Sequence, residues 1–167
     1  MSERLTGAEW DELHIDYANG NPDALKFNAM WTRFCHALDD IVDGEKLNRD
    51  GIVWVMMSTL LEMGKNKFFH QNCAELSGLI IQATNTYLDS CVWEKSTSPS
   101  ERAHANVLRI YYDMVVDHVA FITSGRDFAR LRYLSHKWRS RVWADMNSQE
   151  ASEVDNIEFW KKDGTHG

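Results

Sequence analysis

Proline is scarce in this 167-residue chain, with only Pro22 and Pro99 present, and so few breakers favour long helices over a sandwich of short strands. Cysteine is scarcer than a disulfide framework requires. Cys35, Cys73 and Cys91 are odd in number, and none stands in a C-x-x-C pair, which also argues against a cysteine zinc site. Each falls in an apolar-periodic stretch and reads as a small buried hydrophobe. No run of 18 apolar residues occurs, so no membrane span is expected. The opening MSERLTGAEWDEL lacks the basic-then-apolar order of a secretion signal, and a reducing, cytoplasmic setting is the expectation. G-x-S-x-G, P-loop and H-E-x-x-H motifs are absent, which leaves serine, P-loop and zincin chemistry without local support.

What is present is the composition of one globular domain. Hydrophobic residues make up 44% and charged residues 26%, enough to bury a sizeable core without staples. The net charge of −7 repels nucleic acid, and no nucleic-acid or membrane partner is expected. The charge is uneven. Residues 126–141 carry six Arg or Lys, whereas residues 145–158 carry five Asp or Glu and no base. Such asymmetry can hold two segments or two subunits together, or present a local anion site.

Apolar spacing and capping residues predict an all-α, single-domain bundle of about six helices over residues 1–147, followed by a polar tail, 148–167. Thr6-Gly7-Ala8-Glu9 reads as a capping box, after which Trp10, Leu13 and Tyr17 share a face. Asn21-Pro22 opens a second helix running to Gly44, with proline at the tolerated first position. Asp50 caps a third, apolar at Ile52, Val55, Met56, Leu60 and Met63. Asn66 starts a long fourth through Phe69, Cys73, Leu76, Ile80, Ala83, Tyr87 and Cys91. Ser98-Pro99-Ser100-Glu101 combines a capping box with N1 proline and opens a fifth helix to Gly125. Asp127 caps a sixth, ending near Asn147. Seven Trp, seven Phe and five Tyr supply core and interface, and with Phe159 and Trp160 in the tail they suggest a homo-oligomer.

The sharpest chemical feature closes the second helix. On a wheel of about 100° per residue, Phe27, Met30, Trp31, Phe34, Cys35, Leu38, Ile41 and Val42 form one apolar arc. Lys26, Thr32, Arg33, His36, Asp39, Asp40 and Asp43 fill the other side. An ordinary solvated helix face has this pattern. Yet three aspartates crowd a helix C-terminus, where the carbonyl ends disfavour each by roughly 0.3–1 kcal/mol, and they repel one another. A hard divalent cation relieves both costs, and three- or four-residue spacing lets two carboxylates share one Mg²⁺.

The run Phe34-Cys35-His36-Ala37-Leu38-Asp39-Asp40-Ile41-Val42-Asp43-Gly44 resembles the first aspartate-rich motif of isoprenoid synthases, closest in flavour to the squalene and phytoene type. The resemblance implies an all-α enzyme that uses Mg²⁺ to grip a diphosphate, with Asp39 and Asp43 as main ligands, Asp40 between them, and Asp113 and Asp117 as the downstream acidic group. The same residues also resemble those of all-α nucleotide pyrophosphohydrolases, in which Glu9 and Glu12 would join Asp40 and Asp43 around the metal. In either case Arg126, Arg130, Lys137 and Arg141, a stripe on the last helix, are candidates to hold phosphate oxygens, though a stripe like this also serves to pair acidic helices. Glu101-x-x-His104 has the spacing of half a di-iron site, and the sequence contains no second half. The competing expectation is a non-catalytic oligomeric helical protein.

Overall fold

The computed structural model describes residues 7–42 and 49–150, and these form an all-α bundle with no strand among the described residues. The elements are α1 (Gly7–Ala18), α2 (Pro22–Val42), α3 (Arg49–Lys65), α4 (Lys67–Gln71), α5 (Cys73–Glu94), α6 (Pro99–Arg109), α7 (Tyr111–Thr123) and α8 (Phe128–Glu150). Thr6, Asp43 and the tail beyond Glu150 lie outside the described residues, as do the side chains of Glu9 and Arg141.

Two of the expected helices are each divided. The fourth breaks at Asn72, whose backbone N–H is shared between the Phe68 and Phe69 carbonyls while its side-chain amide also donates to Phe68 at 2.8 Å. The fifth breaks at Ile110, where the amide N–H reaches back three residues to Val107 at 3.2 Å instead of four. Neither break carries proline or glycine, and so neither was legible as punctuation. The α3 start also differs, since the helix begins at Arg49, ahead of Asp50.

The capping signals fare unevenly. Asn21 Oδ1 accepts from the N–H groups of Asp23 and Ala24, each at 3.0 Å. Asp127 Oδ1 accepts from Ala129 at 2.8 Å. Ser98 occupies the cap of α6 but makes no side-chain cap bond, and Glu101 takes the Ser96 hydroxyl instead.

α1, α2, α5 and α7 converge on a core of Leu13, Tyr17, Phe27, Met30, Trp31, Leu76, Ala83, Val115 and Val119. α8 seals one side through Leu134 and Trp138, whose indole packs edge-on against Trp10 at 5.3 Å and tilts over Tyr17 at 5.1 Å. α6 lies along α5, and α3 packs on α2. Two reversals are built on left-handed residues, Asn19-Gly20 after α1 and Gly125-Arg126 after α7. Asn19 joins them, donating to the Thr123 carbonyl and accepting from Arg130, both at 2.9 Å.

The α3–α4 corner depends on Asn66, which is buried. Its Oδ1 caps α4 by accepting from Phe69 N–H, and its Nδ2 donates to the Asp23 carbonyl at the start of α2, both at 2.8 Å. Asn66→Ala loses the cap and strands a carbonyl, and it should lower unfolding free energy by roughly 2 kcal/mol. Denaturant unfolding checks this, with Asn66→Asp as the control that keeps the cap and loses only the donor.

Candidate functional site

Asp39 sits where the polar side of α2 meets its buried arc, and it is half-buried. The Tyr87 hydroxyl on α5 donates to its Oδ1 at 2.5 Å. Burial, and then this bond, hold the Tyr87 phenol far above its ordinary range. Around the pair stand Cys35, Cys91 and Tyr112, whose ring lies 4.9 Å from that of Tyr87. Burial raises the Cys35 thiol well above its usual value, and the nearby Asp113 and Asp39 carboxylates add to this. The fold therefore brings Asp39 and Asp113, from separate helices, to the neighbourhood of one cysteine. Asp40 is half-buried, and Ile41, assigned to the apolar arc by the wheel, is exposed. Cys73 is exposed too, unlike the buried cysteine its spacing suggested.

Asp113 and Asp117 share the inner face of α7, one turn apart. Asp117 accepts from Tyr17 on α1 at 3.0 Å, and from Ser135 and Arg139 on α8 at 2.9 and 2.7 Å. Asp113 has no cation of its own. The Trp138 indole N–H, which has no hydrogen-bond partner elsewhere, lies close enough to favour its charge. Burial dominates nonetheless and pushes the Asp113 carboxyl up to about 6. Asp117 is shifted upward as well, by burial, against the pull of Ser135, Arg139 and Tyr17.

Three of the four stripe cations, Arg126 just ahead of α8 and Arg130 and Lys137 on it, are engaged within the chain. Arg126 grips Glu75 with two nitrogens, at 2.6 and 3.3 Å. His118 meets the same carboxylate at 2.9 Å. Hydrogen bonds from Arg126 and His118 hold Glu75 below the usual carboxylate range. Lys137 pairs with Asp16 and stands 3.5 Å from Glu12. Arg130 takes the Asn19 amide oxygen. Glu12 thus belongs to the α1–α8 contact. Among the described residues, no three His, Cys, Asp or Glu side chains are grouped as metal ligands would be.

Sequence reasoning missed Tyr17, Tyr87, Asp16 and Glu75 as partners. The two tyrosines carried a usable signal, because a tyrosine at a core position of a helix must find an acceptor for its hydroxyl. Asn28 gave none. It is fully buried in α2, and neither amide atom has a protein partner, the situation that internal water usually resolves.

A different feature is the outer side of α3. Val53, Trp54, Met56, Met57, Leu60 and Leu61 are all exposed, Trp54 by 65% and Leu60 by 66%. The inward side is made by Ile52, Val55, Thr59 and Met63, so Met56 and Leu60, assigned to the inner face from spacing, in fact point out. No charged residue occurs from Gly51 to Leu61. Comparison with protein-family models, with curated proteins and with solved structures finds no match for the chain.

The Asp113 shift has a stability consequence with a definite sign. An acid whose folded pKa is raised binds its proton more tightly when folded, so stability falls as pH rises from the unfolded value near 4 to about 6, and the loss is complete above that. Asp113→Asn should therefore be more stable than wild type at pH 7. The advantage, on the order of 3 kcal/mol, should shrink towards pH 4. Chemical denaturation at both pH values measures it. A difference that does not change with pH would show that Asp113 is not the group responsible.

Proposed function

We propose that this protein is a non-catalytic helical module that acts by docking, as a homo-oligomer, through the outer face of α3. One observation carries the reading: α3 carries no charge from Gly51 to Leu61 and yet is covered, among the described residues, on one side only. Helices with that composition are buried on all sides in their working state. Six large apolar side chains on one free-standing helix face, uninterrupted by charge, match the centre of a permanent interface better than a monomer surface.

The Mg²⁺–diphosphate reading starts from Asp39, Asp40 and Asp43 and has one observation in its favour, the approach of Asp39 and Asp113 to Cys35. A metal at Asp39 would compete with the Tyr87 hydroxyl, and a phosphate at α8 would compete with Glu75, Asp16 and Glu12. In that reading the substrate would be an isoprenoid or nucleoside diphosphate. The docking reading needs no such exchange.

The two readings separate in one set of melting curves. Under the docking reading the melting temperature rises with protein concentration, as association with the folded state requires. Leu60→Asp should remove that dependence and reduce the mass seen by sedimentation to 19.4 kDa, while its far-ultraviolet spectrum stays helical. Added Mg²⁺, with or without an isoprenoid diphosphate or a nucleoside triphosphate, should shift neither protein. A concentration-independent wild type that melts higher with Mg²⁺ and diphosphate, and loses this in Asp39→Asn, would replace docking with the enzyme reading.

A further inference from the structure

A groove of about 450 Å³ lies between α5, α6, α7 and α8. Its walls are mostly apolar: Leu79 from α5, Val107 from α6, Met114 and Phe121 from α7, and Phe128 and Leu131 from α8. Val107, Met114 and Phe128 leave apolar surface exposed there. The volume falls within the roughly 300–1,000 Å³ typical of small-molecule sites, which pair apolar walls with a few convergent polar groups. Here the polar members are the ion pair of Asp117 with Arg139, and His118. We infer that this groove binds a small amphipathic anion: a free, single-chain carboxylic acid whose alkyl chain lies along the apolar walls and whose carboxylate is held by Arg139. The site has no residue in common with the outer α3 face, and it stands or falls independently of docking there.

The sign of the ligand follows from which polar atoms are already matched. Asp117 Oδ1 accepts from Tyr17, and its Oδ2 accepts from Ser135 and Arg139. His118 is turned to Glu75, which Arg126 also grips. The acceptors at the groove are therefore taken. A donor is left over. Arg139 gives one Nη2 to Asp117, while its Nε–H is shut off from water and has no acceptor among the described residues. A buried donor left bare is costly. A carboxylate, which accepts in the plane of a guanidinium, matches it. Arg139 also lines a second depression along α8, where Arg132 adds an exposed cation beside Ser135 and His136. A cationic guest would find no open acceptor here, and a neutral one would leave the Arg139 donor bare. A bilayer suits the site less well, because a membrane-bound helix presents one continuous apolar face flanked by rows of Lys or Arg, whereas these apolar walls come from four helices.

Titration calorimetry of the full-length protein at neutral pH tests this with three probes of equal chain length, each below its micelle concentration: decanoate, decanol and decyltrimethylammonium. Decanoate should bind saturably, decanol about tenfold or more weakly, and the cationic chain not at all. Arg139→Lys keeps a positive charge beside Asp117 and removes the Nε–H. It should bring decanoate down to the affinity of decanol and leave decanol itself unchanged, a split that general loss of structure would not produce. Met114→Trp, and Val107→Trp at a wall position that is 56% exposed, fill the groove. Each should weaken decanoate by at least about tenfold while the melting temperature holds. Leu60→Asp should leave the titration as in wild type, which separates this site from the α3 face. Decanol binding as tightly as decanoate, or decyltrimethylammonium binding in its place, would overturn the anion. Decanoate binding that survives both tryptophan variants would overturn the groove. No saturable decanoate binding up to about 1 mM, the weak end of specific affinities, would overturn the inference as a whole.

Discussion

Asp117 is the point on which the packing of three helices depends. A carboxylate with only 14% of its side chain exposed needs its lone pairs filled, and here the donors come from Tyr17 on α1 and from Ser135 and Arg139 on α8. None of the three can move far without leaving part of a buried charge unmatched, a loss of several kcal/mol in comparable networks. The network therefore fixes the angle at which α1 and α8 lie on α7. Asp113, one turn earlier, occupies the same interior, where burial outweighs the pull of the Trp138 indole and the Arg139 charge, so its proton is held tightly. Two carboxylates with one guanidinium make the most electrostatically loaded spot in the described core.

Around that spot, the charged residues of the surface act as ties between helices. Arg126 and His118 fasten α7 and its reversal to Glu75 on α5, and Lys137 fastens α8 to Asp16 and Glu12 on α1. Singly, such exposed pairs contribute little. Their value is positional, because they close the same helix contacts that the Tyr17–Asp117 network sets. The two left-handed reversals bear on those contacts too, since Asn19 bridges them. Arg126, Arg130 and Lys137 are thus each held by groups within the chain.

α3 stands apart from this system. It leans on α2, is tied there by Arg33 to Glu62 at 2.6 Å and by the Asn66 corner, and turns its other side outward. Its apolar residues are not arranged for one face. Trp54, Leu60 and Leu61 look out while Ile52, Val55 and Met63 look in, and among the described residues only the inward set is covered.

The sequence by itself determined the helical class, most helix ends and the core faces of α1, α2 and α5. These follow from apolar residues at three- and four-residue steps and from short polar side chains such as Asn21, Asn66 and Asp127, which act on backbone groups a few residues away. It also marked Asp39, Asp113 and Asp117 as unusual. What only the tertiary structure decided is their surroundings: that Asp39 meets Tyr87, that Asp117 joins three helices, that Arg126 turns onto Glu75 and Lys137 onto Asp16, and which side of α3 is covered. The breaks at Asn72 and Ile110 belong with these. The physical reason is the same for all. Local hydrogen bonding and periodicity act over one or two turns, whereas a carboxylate's partner, or the covered side of a helix such as α3, is set by segments tens of residues away.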